Sequence, residues 1–255
     1  MRIVVKVGSA VLTQEGEIAV ERMQSLVDFL ANLKKSHDVI LVSSGAVAGG
    51  YTKLKLDRSV LANKQALAAI GQPVLLNRYA KKFQKHNLII AQVLVTASNF
   101  KHEDEIKKVK NSIDTLLDNG VIPIVNENDA TATQELELGD NDQLSAYMAK
   151  NIDADMLIIL SDIDAYYDSD PRKNPNAKVL KTVHTIDADE LTKEVTPHNV
   201  FATGGIVTKL KAADYLLQAN IDMFLASGFD LSDAKSFTLE HNHRGGTLFT
   251  KVEKK

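Results

Sequence analysis

The chain has 255 residues, 44% of them hydrophobic and 25% charged, which is ordinary for one large α/β domain or two small ones and leaves no sign of disorder. Its net charge of −3 argues against a general nucleic-acid binder, and the absence of cysteine excludes thiol catalysis, disulfides and cysteine-ligated metals. The opening run Met1-Arg2-Ile3-Val4-Val5-Lys6 is broken by a lysine, and no later apolar run reaches membrane-spanning length, so a cytoplasmic protein with no membrane or nucleic-acid partner is expected.

In chain order, short β-branched runs alternate with longer amphipathic segments, the pattern of a mainly parallel sheet covered by helices on both faces. The expected elements are a strand over 3–7, a helix over 21–35, a strand over 39–42 and a long helical stretch over 59–86. That stretch should break near Gly71-Gln72-Pro73, because proline lacks the N–H a helix needs and disfavours helix just before it. A strand over 88–95, a helix over 106–118, a strand over 121–125, a helix over 143–150 and a strand over 156–160 follow. The segment 168–176, Asp-Ser-Asp-Pro-Arg-Lys-Asn-Pro-Asn, reads as a loop. The last clear helix covers 208–219, then strands cover 221–226 and 246–250. There is no repeat and no linker, so 1–255 reads as one α/β domain, a three-layer sandwich with a mainly parallel central sheet.

Parallel strands deliver their carboxyl ends to one crevice, and five junctions there carry unusual residues. They are Lys6-Val7-Gly8-Ser9, Ser43-Ser44-Gly45-Ala46, Asn126-Glu127-Asn128-Asp129, Ser161-Asp162 and Thr203-Gly204-Gly205 with Lys209. Asn126 to Asp129 follows the apolar run Val121-Ile122-Pro123-Ile124-Val125 and is answered by Gly139-Asp140-Asn141-Asp142. Polar groups at the end of a buried strand usually face a ligand, although Asp140 also suits a simple helix cap. Glycine beside a hydroxyl residue before a helix suits anions, and its recurrence at successive strand ends is what carries the reading.

Neither a Gly-x-x-x-x-Gly-Lys-Ser/Thr loop nor a Gly-x-Gly-x-x-Gly turn is present, so a phosphate site must be assembled from separate loops. Lys6 and Lys209 are the best cations for a transferring phosphoryl group, with Asp140, Asp142 or Asp162 to orient them. Magnesium would be held largely by nucleotide phosphates and water, with no protein metal cage expected. None of the seven histidines falls in these loops, and His241-Asn242-His243 reads better as surface than as a metal pair.

These stretches, together with Lys64 to Gln72, Asp170 to Pro175 and Thr203 to Leu210, resemble the glutamate 5-kinases of the amino acid kinase family from Lys6 to about Phe249. The resemblance implies ATP-dependent phosphorylation of the γ-carboxylate of L-glutamate, the first step of proline synthesis, with ATP and Mg²⁺ required. It implies that Lys6 and Lys209 contact the phosphoryl group with Asp142 holding them, and that Ser44, Asp129 and Asn141 bind the amino acid. Gly8, Ser161, Asp162 and the turn Thr203, Gly204, Gly205, Ile206, Val207, Thr208 and Lys209 would belong to the nucleotide side. Ala165 stands where the family usually has glycine, and Asn199 to Ala202 replace a more glycine-rich approach to Thr203. Many relatives continue into a small PUA domain, for which this chain has no room. Homo-oligomerisation and feedback inhibition by proline are further expectations.

The chemistry favours the same acceptor class independently. A side-chain carboxyl with an ordinary pKa of about 4.3 is already ionised at neutral pH and needs no general base, whereas an alcohol would. Rival readings are another amino acid kinase, acting on acetylglutamate, aspartate, carbamate or a nucleoside monophosphate, and a non-catalytic amino-acid or nucleotide sensor. An acetylated acceptor lacks the ammonium that Asp129 suits, and a sensor has no reason to keep both lysines and Asp142.

Overall fold

The structure is a computed structural model and describes residues 1–131, 141–192 and 205–251. Its elements in chain order are β1 (Arg2–Val7), α1 (Ser9–Leu12), β2 (Thr13–Gln14), β3 (Glu17–Ile18), α2 (Val20–Leu33), β4 (Asp38–Val42), α3 (Ala46–Tyr51) and α4 (Leu61–Phe83). They continue with β5 (Ile90–Val95), α5 (Glu103–Asp118), β6 (Ile122–Glu127), α6 (Asn141–Asn151), β7 (Met156–Ser161), β8 (Thr182–Val183) and α7 (Ala188–Thr192). Last come α8 (Ile206–Gln218), β9 (Asp222–Ser227), α9 (Ser232–Leu239) and β10 (Thr247–Phe249). One sheet runs in the order β5-β6-β4-β1-β7-β9-β10-β8, and β2 with β3 forms a separate hairpin. From β5 to β9 every pairing is parallel, and β10 alone lies antiparallel to β9.

The strands are apolar throughout because both sheet faces are covered. Along β1, Ile3, Val5 and Val7 face a core shared with α2, α4 and α9, while Val4 faces the opposite core with α5, α6 and α8. This alternation, the two-residue period of a strand, produces the three layers expected. Helix α2 buries Met23, Leu26, Val27, Leu30 and Leu33, a helical stripe against the first core. On the other side α8 buries Leu210, Ala213, Leu216 and Leu217.

Two expectations are corrected. Helix α4 does not break near Gly71 but runs through Pro73 to Phe83. Proline inside a helix costs about 3 kcal/mol, yet Leu67 and Ala68 before it and Leu75, Tyr79 and Phe83 after it are all buried on one face. At about 1.5–3 kcal/mol per large buried side chain, that face outweighs the proline. The glycine next to it serves packing: a Cβ on Gly71 would stand 1.6 Å from Ala46 O, and one on Gly50 would stand 1.9 Å from Leu67 O, so α3 and α4 cross at backbone contact. A helix, α9, also follows the segment 208–219, which had read as the last one. Its buried face is Ala234, Ser236 and Thr238, small and hydroxylated residues that give no apolar period in the sequence. Ser236 donates to Asn242 O and Thr238 to Ala234 O, which satisfies both hydroxyls.

Candidate active site

Strands β4, β1, β7 and β9 are parallel neighbours, so Ser43-Ser44, Val7-Gly8, Ser161-Asp162 and Ser227-Gly228 leave the same edge of the sheet, joined by the residues after β6. The edge is stitched across its loops. Gly8 N donates to Leu160 O at 3.0 Å, Ser43 N to Val125 O at 2.9 Å, Asn128 N to Val95 O at 2.7 Å and Gly228 N to Ser161 O at 2.7 Å.

At its centre lies Asp142, in the first turn of α6 and fully buried. Lys6 Nζ from β1 donates to Asp142 Oδ1 at 2.5 Å, and Lys209 Nζ from α8 donates to Oδ2 at 3.1 Å. The lysines are 3% and 2% exposed, so two ammonium groups and one carboxylate share a site almost without water. Burying charges is costly unless they are paired, and here opposite charges from three distant segments meet on one group. Thr208 Oγ1 lies 2.9 Å from Asp142 Oδ2 and 2.9 Å from Gly205 O, so its single proton serves one of them at a time. Counted among these three groups, the cluster carries one positive charge in excess, a setting suited to an anion.

Of the carboxylates read as possible partners for the lysines, Asp142 takes both. Asp162 does not: it is exposed and accepts from Ser161 Oγ at 2.8 Å, because its position one residue beyond the buried end of β7 turns it outward. Asp140, Thr203 and Gly204 lie outside the described residues, as do His198 and the segment 199–202. Gly8 lies beside the cluster, where a Cβ would stand 3.9 Å from Lys6 Nζ, but its N–H is committed to Leu160. What Gly8 offers an anion is therefore the lack of a side chain beside Lys6 rather than an amide. Gly205 caps α8 and Ile206 is half-buried, while the Val207 side chain packs inward.

Beside the cluster, Asn141 Nδ2 donates to Ser44 Oγ at 2.7 Å and approaches Ser43 O at 3.1 Å, so the start of α6 is pinned to the loop after β4. Asp129 occupies the turn after β6, half-buried. Two residues that the sequence did not flag hold these loops from behind. Gln72 Nε2 donates to Glu127 O at 3.2 Å, and the Tyr79 hydroxyl lies 3.0 Å from Ser43 Oγ. Both sit on α4, where Gln72 read as part of a helix break and Tyr79 as one more core aromatic. Only the polar tips on an otherwise apolar face could have signalled them.

A depression of about 580 Å³ opens at the other end of the sheet, lined by Arg2, Asp38, Asp114 and Asp155 among others. It is occupied by ion pairs such as Arg2 to Asp114 at 2.8 Å and Lys110 to Asp153 at 2.8 Å. Size does not make it the active site, since the buried lysines and glycine-bearing loops are at the carboxyl ends of the strands. His243 lies elsewhere as well, packed edge-on against Phe224 and Phe237.

The model of the amino acid kinase family matches residues 1–227. The chain is 52% identical to a glutamate 5-kinase of Wolinella succinogenes over 97% of both chains. It is 50% identical to the glutamate 5-kinase of Leishmania donovani, covering 97% of this chain and 94% of that one. A glutamate 5-kinase 2 of Bacillus subtilis is 42% identical over 97% of this chain and 67% of its own length. Among solved structures, the isopentenyl phosphate kinase of T. acidophilum in its product complex superposes with a TM-score of 0.67 at 16% identity, covering 98% of this chain and all of that one. A carbamate kinase from Giardia lamblia bound to AMP-PNP gives 0.67 at 17% identity, covering 98% of each chain. At such identities these two show the shared fold. The match over residues 1–227, the extent of the relatives and the fold together place the chain in the amino acid kinase family.

Proposed function

We propose that the chain transfers the γ-phosphoryl group of ATP to the γ-carboxylate of L-glutamate, forming L-glutamyl 5-phosphate for proline biosynthesis. The observation that carries the reading is the buried cluster of Lys6, Asp142 and Lys209 at the same sheet edge as the Ser44 loop and the Asn141 amide bonded to it. High identity to glutamate 5-kinases over nearly the whole chain supports the choice of acceptor.

The acceptor oxygen is already anionic at neutral pH, so no base is required. One carboxylate oxygen forms a bond to the γ-phosphorus while the bond from that phosphorus to the β,γ-bridging oxygen breaks, and ADP leaves with the electron pair. Two anions must meet for this. Lys6 and Lys209 offset their repulsion and the charge that spreads over the phosphoryl oxygens, and Asp142 fixes both ammonium groups before substrate arrives. Ser44 and Asn141 present a hydroxyl and an amide to the amino acid, and Asp129 offers its carboxylate to the substrate ammonium. Gly205, Thr208 and the end of β7 at Ser161 and Asp162 form the nucleotide side.

Magnesium fits this site as part of the nucleotide. Both Asp142 oxygens are engaged by the lysines and Thr208, and no group of three metal-binding side chains occurs among the described residues. Phosphates and water would supply most of its ligands, in keeping with its reluctance to dehydrate. The same reading takes 1–255 as a single kinase domain. It further takes the protein as cytoplasmic and self-associating, inhibited by proline and without a nucleic-acid partner. The net charge of −3 supports the last of these; among the described residues no helix is long and apolar enough to cross a membrane.

ATP consumption measured across candidate acceptors, with hydroxylamine present to trap an acyl phosphate, tests the proposal. Glutamate should be the best acceptor and yield a hydroxamate. Faster turnover of acetylglutamate or aspartate, or ATP hydrolysis without hydroxamate, would refute it.

A further inference from the structure

Helix α4 carries two buried polar side chains seven residues apart, which places both on one helix face. Gln72 is 8% exposed and Tyr79 fully buried. Both tips point at loops of the candidate site. Gln72 Nε2 donates to Glu127 O at 3.2 Å, while its Oε1 accepts from Asn126 Nδ2 at 3.3 Å and from Gln92 Nε2 at 3.1 Å. The other end of Asn126 is occupied too, since its Oδ1 accepts from Glu127 N at 3.0 Å. The last residues of β6, immediately before Asn128 and Asp129, are therefore locked to α4 through one amide.

Tyr79 performs the same task for the loop after β4. Ser43 Oγ lies 3.1 Å from Ser44 O and 3.0 Å from the Tyr79 hydroxyl, so when its one proton goes to Ser44 O the Tyr79 hydroxyl donates to it. Burial raises the pKa of the Tyr79 phenol, and the hydrogen bond with Ser43 only partly counters it, so the proton stays in place. Ser43 O in turn accepts from Asn141 Nδ2, the amide that also reaches Ser44 Oγ. The far side of this loop is gripped as well, because Gly71 lies against the Ala46 carbonyl at the start of α3, where no Cβ fits.

Apolar side chains of similar volume would fill both positions, but Glu127 O, the Asn126 amide and Ser43 Oγ would each lose a partner, so the polar tips decide where those loop groups sit. Polar groups here contribute geometry. We propose that Gln72 and Tyr79 are positioning residues for the amino-acid substrate: α4 is a rigid backing that sets the loop bearing Asp129 through Gln72, and through Tyr79 the loop bearing Ser44, to which Asn141 at the start of α6 is bonded. The inference rests on the functional reading above. The ion pairs of the lysine cluster tie β1 and α8 to α6, so the nucleotide side should be indifferent to both residues.

The test is steady-state kinetics of Gln72→Met and Tyr79→Phe, each with glutamate varied at saturating ATP and ATP varied at saturating glutamate, beside thermal unfolding. Loss of a buried hydrogen bond at about 1–3 kcal/mol predicts a glutamate KM raised about 5- to 100-fold, with the ATP KM within about two-fold. A purely structural role would lower the melting temperature or the active fraction and leave both KM values alone, and that result overturns the inference. Equal rises in the two KM values overturn it too. Tyr79→Phe keeps the packed ring and decides the matter if Gln72→Met does not fold. No turnover of glutamate by the wild-type chain would refute the functional reading together with this inference, whereas normal wild-type turnover with unaltered glutamate KM in the folded variants would refute the inference alone.

Discussion

The lysine cluster and the loops proposed to bind the amino acid share one edge of the sheet but are held by different physics. Lys6, Asp142 and Lys209 are buried charges brought together from residues 6, 142 and 209 with a direct ion pair on each side of one carboxylate. Ser44, Asn141 and Asp129 are half-buried, and their loops are fixed by neutral hydroxyl and amide contacts that lead back to α4. The charged region is rigid because breaking any pair leaves a charge in a dry place. The neutral region keeps access to solvent, which a substrate must displace as it binds. Rate should therefore depend on the first region and recognition on the second.

Asp142→Ala should break this contrast most severely, because it removes the carboxylate that both lysines share. We expect a loss of about 3–5 kcal/mol in stability, read by urea unfolding, and turnover reduced about 10³-fold in the folded fraction. Near-normal stability would mean that water reaches the cluster. Asp129→Ala addresses the other region. A hydrogen bond to a charged group contributes about 1.5–3 kcal/mol, so the glutamate KM should rise about 10- to 100-fold while the ATP KM stays put. A normal glutamate KM would remove Asp129 from the site. Ser44→Ala should have the smallest effect, a few-fold rise in glutamate KM from one neutral hydrogen bond at about 0.5–1.5 kcal/mol. If turnover fell instead with KM unchanged, Ser44 would belong with the lysines and the division between the regions would fail.

The two regions were also unequally legible in the sequence. Strands such as Ile3 to Val7 and Met156 to Leu160 announce themselves as short β-branched runs, and the carboxyl-end rule points to the loops that follow them. Residues 6, 142 and 209 could be singled out by type, but their convergence came from the family resemblance, because no periodicity relates segments so far apart. Asp162 shows the limit: as a carboxylate at a strand end it looked equivalent to Asp142, and one step past the buried end of β7 it faces outward. Gln72 and Tyr79 were illegible for another reason. Their worth depends on what the far side of α4 touches, and the helix itself was read as broken because Pro73 speaks locally while the burial that overrides it is tertiary. Helix α9 escaped because its buried positions are Ala234, Ser236 and Thr238, and Phe237 alone is a large apolar residue packed on the core, too little for a helical period.

The central claim is that Lys6 and Lys209 act as one unit on the transferred phosphoryl group, and a double-mutant cycle on turnover tests it most directly. Lys6→Ala and Lys209→Ala should each lower kcat by about 10²–10³, or about 2.7–4 kcal/mol, with glutamate binding largely intact. The double variant should fall by less than the product of the two, as groups acting together do. Full turnover after either single substitution would contradict the claim.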